Sequence, residues 1–565
     1  MPYKAPVSEL DFILTHVVGF DRVTATDKFR DATPDVVTAM LREAGKICES
    51  VLAPLNPAGD ANPAVLENGV VRTSPGFAAG HTAIAEAGLI GISADPAYDG
   101  LGLPHTMTTA VNDMMGSACL SLQLNPLLTQ GQIEALEHHA SDDIKALYLP
   151  NLISGAWTGT MNLTEPQAGS DVGALNAKAV PNDDGTYAVS GQKIYISWGD
   201  SDFSENICHL VLARLPGGGA GTKGISLFLV PKYLPDAQGD PGVANTLKVV
   251  SLEHKMGLHG SPTCVMHYDG ATGWLVGAPH GGMAAMFTMM NNARLGVGVQ
   301  GVSIAEAAYQ HALAYATDRK QGRGLMPDGI GTILDHADVR RMLMAMKAET
   351  FAARALALDL AVAIDLAIAT DDATMQARAA FLTPICKSYG TDTGIEVADR
   401  GIQIHGGMGF IEETGAAQYL RDVRVTAIYE GTNGIQAMDL VGRKMMDDGA
   451  AAFALIDEVH TTAAQTGNTT LADTAKTLRT ATERMLALPL ADRFAGAVPY
   501  QHAFALTLGG MYHLCAAHAA GGVGPRAALA HSFVHRQMAA VPGLLTEAVQ
   551  GASDLYAMRA EDFAV

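Results

Sequence analysis

Basic residues are scarce: 37 Lys and Arg stand against 58 Asp and Glu, for a formal net charge of −21. Such a surface repels polyanions, which excludes nucleic acid or an anionic membrane as partner and leaves only a local basic pocket for one phosphorylated ligand. Cysteine is scarce too. The six residues, Cys48, Cys119, Cys208, Cys264, Cys386 and Cys515, lie far apart, with no Cys-x-x-Cys pair and no His at metal-ligand spacing. Buried free thiols are expected, and no metal. Long apolar runs are missing as well. Glu9, Asp11 and His16 break the first twenty residues, the wrong pattern for a signal peptide, while Asp359 and Asp365 interrupt the longest Ala/Leu-rich stretch. A cytoplasmic protein with no membrane span is the expectation. With 48% hydrophobic and 17% charged residues there is no composition for long disorder, and 565 residues suffice for three or four domains.

Residues 1–35 read as an arm without assigned structure, ending at the helix start Thr33-Pro34-Asp35. Helical periodicity then holds over 36–155, with separate patterns at 78–90, 106–123 and 126–150. From Trp157 the texture changes to strand alternation: Tyr187-Ala188-Val189, Lys193 to Ser197, His209 to Ala213 and Ile225 to Val230, with a turn at Asp183-Asp184-Gly185. Gly217 to Gly221 is a surface loop and no phosphate cradle, because no helix follows it. The β-region is expected over 156–279. Helical patterns return at 282–319, 335–368, 374–401 and 414–445, forming a bundle over 280–445. Residues 446–565 add a helical extension with 7 Lys/Arg against 11 Asp/Glu. The fold class is α+β, mainly α.

One carboxylate stands out, in Ile428-Tyr429-Glu430-Gly431-Thr432-Asn433-Gly434-Ile435-Gln436. A loop glutamate is ordinarily a solvated charge. This one follows an apolar pair and precedes Gly431, which lets a ligand approach the backbone. Partial desolvation would raise its pKa towards the range for taking a proton from carbon, and Thr432 or Asn433 is placed to cap a helix beginning near Ile435. Two further loops carry potential chemistry. Asn162 to Ala174 is a turn rich in hydroxyls and small residues, able to present N–H groups and Thr/Ser oxygens to a flat polar ligand or simply to cap the chain. Gln403-Ile404-His405-Gly406-Gly407-Met408-Gly409-Phe410 permits close backbone approach, with Phe410 free to pack.

Together, Leu163-Thr164-Glu165-Pro166-x-Ala168-Gly169-Ser170-Asp171, Gln403-x-x-Gly406-Gly407-x-Gly409-Phe410 and Tyr429-Glu430-Gly431-Thr432 resemble, in order and spacing, the three landmarks of the acyl-CoA dehydrogenases. The resemblance covers residues 36–445 and implies that family's fold, with 446–565 as an extra helical domain. It implies FAD as cofactor and an acyl-CoA thioester as substrate. Glu430 would be the base that removes the α-proton while the β-hydrogen leaves as hydride to flavin N5, and its backbone N–H would help hold the thioester oxygen. Leu163, Thr164 and Ser170 would contact flavin and phosphate. Tyr195 and Ser197 stand where the family usually has Trp and Thr beside the ring. Arg319 would meet the FAD pyrophosphate across a subunit contact, with Gln403, Gly406, Gly407 and Thr432 completing the cofactor set; Gln321-Gly322 replaces the usual Thr-Phe after Arg319-Lys320. Arg294 and Gly431 would lie on the substrate side.

The runs Leu122 to Pro126, Glu253 to Pro262 and Met289 to Arg294, with the long extension, resemble the branch acting on 3-(methylthio)propionyl-CoA in sulfoniopropionate breakdown. Met283, Met286, Met289 and Met290 recur at helical spacing before Arg294. Thioethers there suit the end of a short acyl pocket, although core packing is their commoner use. Electron-transfer flavoprotein is the implied acceptor. A straight-chain acyl-CoA dehydrogenase or an oxygen-using oxidase are the alternatives, and a DNA-associated relative is disfavoured by the acidic extension. The family arrangement implies a homo-oligomer. A dimer is expected, with the extension in the place of a second pair of subunits.

Overall fold

Residues 6–16 carry apolar side chains at i, i+3 and i+4, and the stretch expected as an unassigned arm begins with a helix, α1 (Val7–His16), that buries Leu10, Ile13 and Leu14. Helix α2 (Pro34–Ile47) starts where Thr33-Pro34-Asp35 places it. The computed structural model describes residues 3–564. Its contacts group them into two units, 39–293 with 3–5, and 294–564 with 6–38.

In the first unit, the two patterns expected at 106–123 and 126–150 are differently divided. Helix α3 (His105–His139) runs through Pro126 and bends at Cys119, whose φ of −158° and ψ of 92° leave the helical region. Helix α4 (Asp142–Ile153) follows after Ser141. A seven-stranded sheet comes next: β1 (Trp157–Asn162), β2 (Lys178–Pro181), β3 (Tyr187–Ser197), β4 (Asn206–Arg214), β5 (Ile225–Pro231), β6 (Leu247–Leu252) and β7 (Thr263–Val276). Pairings β7–β3–β2–β4–β5–β7 close on themselves, with β6 added on β7 and β1 on β4. The apolar residues inside include Val189, Ile196, Val211, Phe228, Val230 and Met266. After Gly221, expected to lead into no helix, a short 3-10 turn (Gly221–Gly224) intervenes before β5.

A bulge in β3 positions the site. Ile196 pairs with Cys264 but Lys193 pairs with Met266, so β3 carries one extra residue there. Tyr195 absorbs it with a φ of +61°. Strict alternation would put Lys193 and Tyr195 on one face; instead Lys193 is fully buried and Tyr195 is 61% exposed.

In the second unit, α5 (Gly282–Asp318, here from Arg294), α6 (Ala337–Thr370), α7 (Ala373–His405), α8 (Ala416–Val423) and α9 (Asn433–Arg443) form the bundle. The extension adds α10 (Ala450–Thr466), α11 (Thr469–Ala487) and α12 (Ala497–Ala519). Buried polar contacts hold it to the bundle. Tyr512 donates to Asp359 at 2.6 Å, Gln501 donates to the Pro384 carbonyl at 2.9 Å, and Arg378 bridges Asp359 and Glu458.

Candidate active site

Glu430 sits in a five-residue loop between the turn after α8 and the start of α9, with a φ of +56°; Gly431 follows at +84°. Two consecutive left-handed residues, one of them a glutamate, persist only where the surroundings over-determine them. Here they do. Tyr429 donates to Gln300, Gln436 donates to the Glu430 carbonyl at 3.0 Å, and Thr432 caps α9 by accepting from the Ile435 amide. Asn433, the other expected cap, instead turns its side chain onto α7, accepting from Lys387 at 2.9 Å and donating to Asp392 at 2.7 Å.

Burial pushes the Glu430 carboxyl up to about 7, and the nearby charges of Arg294 and Lys387 hold it from rising further. The desolvation expected for this carboxylate is present; of the apolar pair before it, Ile428 is half exposed and Tyr429 half-buried. Arg294 is buried rather than lying in a surface ion pair, and its Nε has no hydrogen-bond partner among the described residues. The Glu430 N–H donates to nothing among the described residues.

In the first unit, the loop after β1 meets β3. The Thr164 carbonyl accepts from the Ile194 amide at 3.0 Å, which sets half-buried Leu163 and Thr164 against the part of β3 that precedes Tyr195. A pair that motif reading passed over fixes this loop. Glu165, inside the first landmark, accepts from Lys193 at 2.8 Å and from the amides of Asn176 and Ala177, and Lys193 also donates to the Leu163 carbonyl at 2.9 Å. The signal was present as the one charged residue of that strand. Ser170 is exposed on the same loop, and Met286 is buried in this unit, with Met290 half-buried.

In the second unit, Arg319 and Gln403 are exposed just past α5 and in the last turn of α7. Those ends are neighbours, because His405 packs on Tyr315 with ring centroids 4.3 Å apart. Gly169 and Gly407 test whether the chain leaves room for a bound group. Both have ordinary φ, and a Cβ on either would meet no atom within 4 Å. Neither a turn nor internal packing calls for glycine there, whereas close approach by a cofactor does.

Models of the N-terminal, middle and C-terminal domains of acyl-CoA dehydrogenase match residues 40–156, 160–271 and 280–446. The chain belongs to the acyl-CoA dehydrogenase family: it is an oxidoreductase acting on acyl-CoA, with FAD as cofactor. It is 49% identical over 458 residues to the 3-methylmercaptopropionyl-CoA dehydrogenase of Ruegeria pomeroyi, covering 80% of this chain and 77% of that one. The broad-specificity linear acyl-CoA dehydrogenase FadE5 of Mycobacterium tuberculosis is 37% identical, with the same 80% and 77% coverage. Among solved structures, Caenorhabditis elegans ACDH-11 in complex with C11-CoA matches with a TM-score of 0.78 at 21% identity, covering 95% of this chain and 91% of that one. The fold likeness therefore includes most of the extension. No helix of the described residues is long and apolar enough to cross a membrane.

Proposed function

We propose that the protein oxidises the Cα–Cβ bond of a short acyl-CoA, foremost 3-(methylthio)propionyl-CoA to 3-(methylthio)acryloyl-CoA, and passes the electrons to an electron-transfer flavoprotein. The observation that carries the chemistry is Glu430, a strained, desolvated carboxylate beside two buried cations. A carboxylate with a pKa of about 7 is matched to removing an α-proton near neutral pH. On taking it, Glu430 becomes neutral, while its N–H is free to receive the thioester oxygen on which charge develops. Bound FAD supplies the two-electron acceptor for the hydrogen leaving Cβ. Leu163, Thr164, Ser170, Tyr195, Ser197, Arg319, Gln403, Gly406, Gly407 and Thr432 are the residues that would hold FAD.

The thioether substrate is supported by the 49% identity to the Ruegeria pomeroyi relative; a straight-chain preference is the second reading, supported by the 37% identity to FadE5. Anaerobic bleaching of the flavin by 3-(methylthio)propionyl-, butyryl- and octanoyl-CoA separates them, with the thioether expected fastest. Faster bleaching by octanoyl-CoA would keep the chemistry and discard the substrate. Truncating Met286 or Met290 to Ala is expected to shift this chain-length order, and unchanged kinetics would return both to core packing.

A dimer is part of the proposal. Met408, Phe410 and Ile411 are exposed beside Gly406-Gly407, Phe410 to 86%, an apolar surface that a second copy would cover. Light scattering is expected to give twice the chain mass; a monomer or tetramer would refute the dimer.

A further inference from the structure

The support of the Glu430 loop comes from an unexpected direction. Lys387, Ser388, Thr391 and Asp392 occupy one face of α7, and Asn433 spends its whole side chain on it: Oδ1 accepts from Lys387, and Nδ2 donates to Asp392 and to the Thr391 hydroxyl at 3.0 Å. Lys387 is fully buried, yet its hydrogen-bond partner is a neutral amide. A buried ammonium without a carboxylate partner is costly, so its own stability does not explain it. What lies near it does: burial lowers the Lys387 ammonium to about 8, and the charges of Glu430 and Asp392 oppose that fall. Behind α7 lies the extension. Phe504 of α12 meets Phe381 edge-on with centroids 5.1 Å apart, Gln501 donates to the Pro384 carbonyl, and His502 packs 6.2 Å from Tyr389; burial raises the Asp392 carboxyl, and the Asn433 hydrogen bond and His502 partly oppose that rise.

We propose that Lys387, Asn433 and Asp392 form a positioning network, buttressed by α12, that holds Glu430 in its left-handed conformation with a buried ammonium within electrostatic reach of its carboxylate. The C-terminal extension is thereby a working part of the active site. This rests on the reading of Glu430 as the base. The charged and titratable groups around that carboxylate are Arg294 of α5, Lys387 and Asp392 of α7, Tyr429 in the loop, Asp439 and Arg443 of α9, and His502 of α12 beyond Asp392.

The test is the pH dependence of anaerobic flavin bleaching by butyryl-CoA in the FAD-loaded, full-length enzyme. A base must be ionised to act, so the parent rate rises with pH through the Glu430 titration. Removing a nearby cation makes the carboxylate harder to ionise, and Lys387→Met is expected to move this limb up by roughly one pH unit, with about a fivefold loss at pH 7 recovered near pH 9. Asn433→Leu frees the loop and is expected to lower the rate about tenfold or more at every pH with KM changed little. His502→Leu is expected to give a smaller loss, about threefold. If Lys387→Met and Asn433→Leu both fold, bind FAD and keep the parent limb and rate, the network is refuted; should Lys387→Met not fold, Asn433→Leu decides alone. An unchanged His502→Leu profile would remove the extension from it. A parent with no limb, or full turnover in Glu430→Gln, would instead refute the reading of the base.

Discussion

Glu430→Gln is expected to lower the rate of flavin bleaching by about 10³- to 10⁴-fold with FAD still bound, and to make the folded protein more stable at pH 8. The two effects share a cause. The folded pKa of about 7 lies above the ordinary carboxylate value of 4.5, so the proton is bound more tightly in the folded state. The stability this contributes is fully present below pH 4.5 and is lost as pH rises through 7. At pH 8 the half-buried carboxylate is ionised, at a cost on the order of 2–3 kcal/mol relative to pH 4.5. Glutamine carries no such cost. Thermal unfolding of both proteins at pH 5 and pH 8 should therefore show the variant gaining on the parent as pH rises. An equal difference at both pH values would mean the carboxylate is not desolvated, and bleaching at the parent rate would mean it is not the base.

Lys193→Met is expected to destabilise the first unit by about 3–5 kcal/mol and to weaken FAD retention. Lys193 is fully buried and the Glu165 side chain is 4% exposed. Burial alone would raise the Glu165 carboxyl, but Lys193 and the Asn176 and Ala177 amides outweigh it and hold the group below its ordinary range. Without Lys193 the carboxylate remains buried with its largest compensation gone, and the Leu163 carbonyl loses its donor. Because this loop carries Thr164 and Ser170, cofactor binding should suffer with stability. The double variant Lys193→Met/Glu165→Gln should recover part of the loss, since no unpaired charge is then buried. Urea unfolding with and without added FAD measures both effects, and a loss below about 1 kcal/mol would contradict the pairing. The pH signs of the two carboxylates are opposite. Glu165 contributes stability that is present above its unfolded value and lost as pH falls through its folded one.

Local chemistry made much of this legible. Pro34 and Thr33 start α2 where expected, because a capping hydroxyl and a fixed φ act within one turn. The Asp183-Asp184-Gly185 turn does join the paired strands β2 and β3. The boundary between α3 and α4 was less legible, since periodicity alone does not register a helix that bends at Cys119 and continues through Pro126.

The sequence by itself determined the family, through three loops whose glycines, hydroxyls and one glutamate stand in a specific order, and with it the cofactor and the class of substrate. Only the tertiary structure decided how those residues act. The bulge that buries Lys193 and exposes Tyr195 arises from pairing with a strand some seventy residues further on. The pKa of Glu430 is set by burial in the folded chain, which raises it, and by Arg294 and Lys387 of α5 and α7, which limit the rise. Asn433 reads as a helix cap until α7 offers it an ammonium and a carboxylate. Capping and turn preferences are settled between near neighbours, whereas desolvation and charge pairing depend on which distant segments exclude water together.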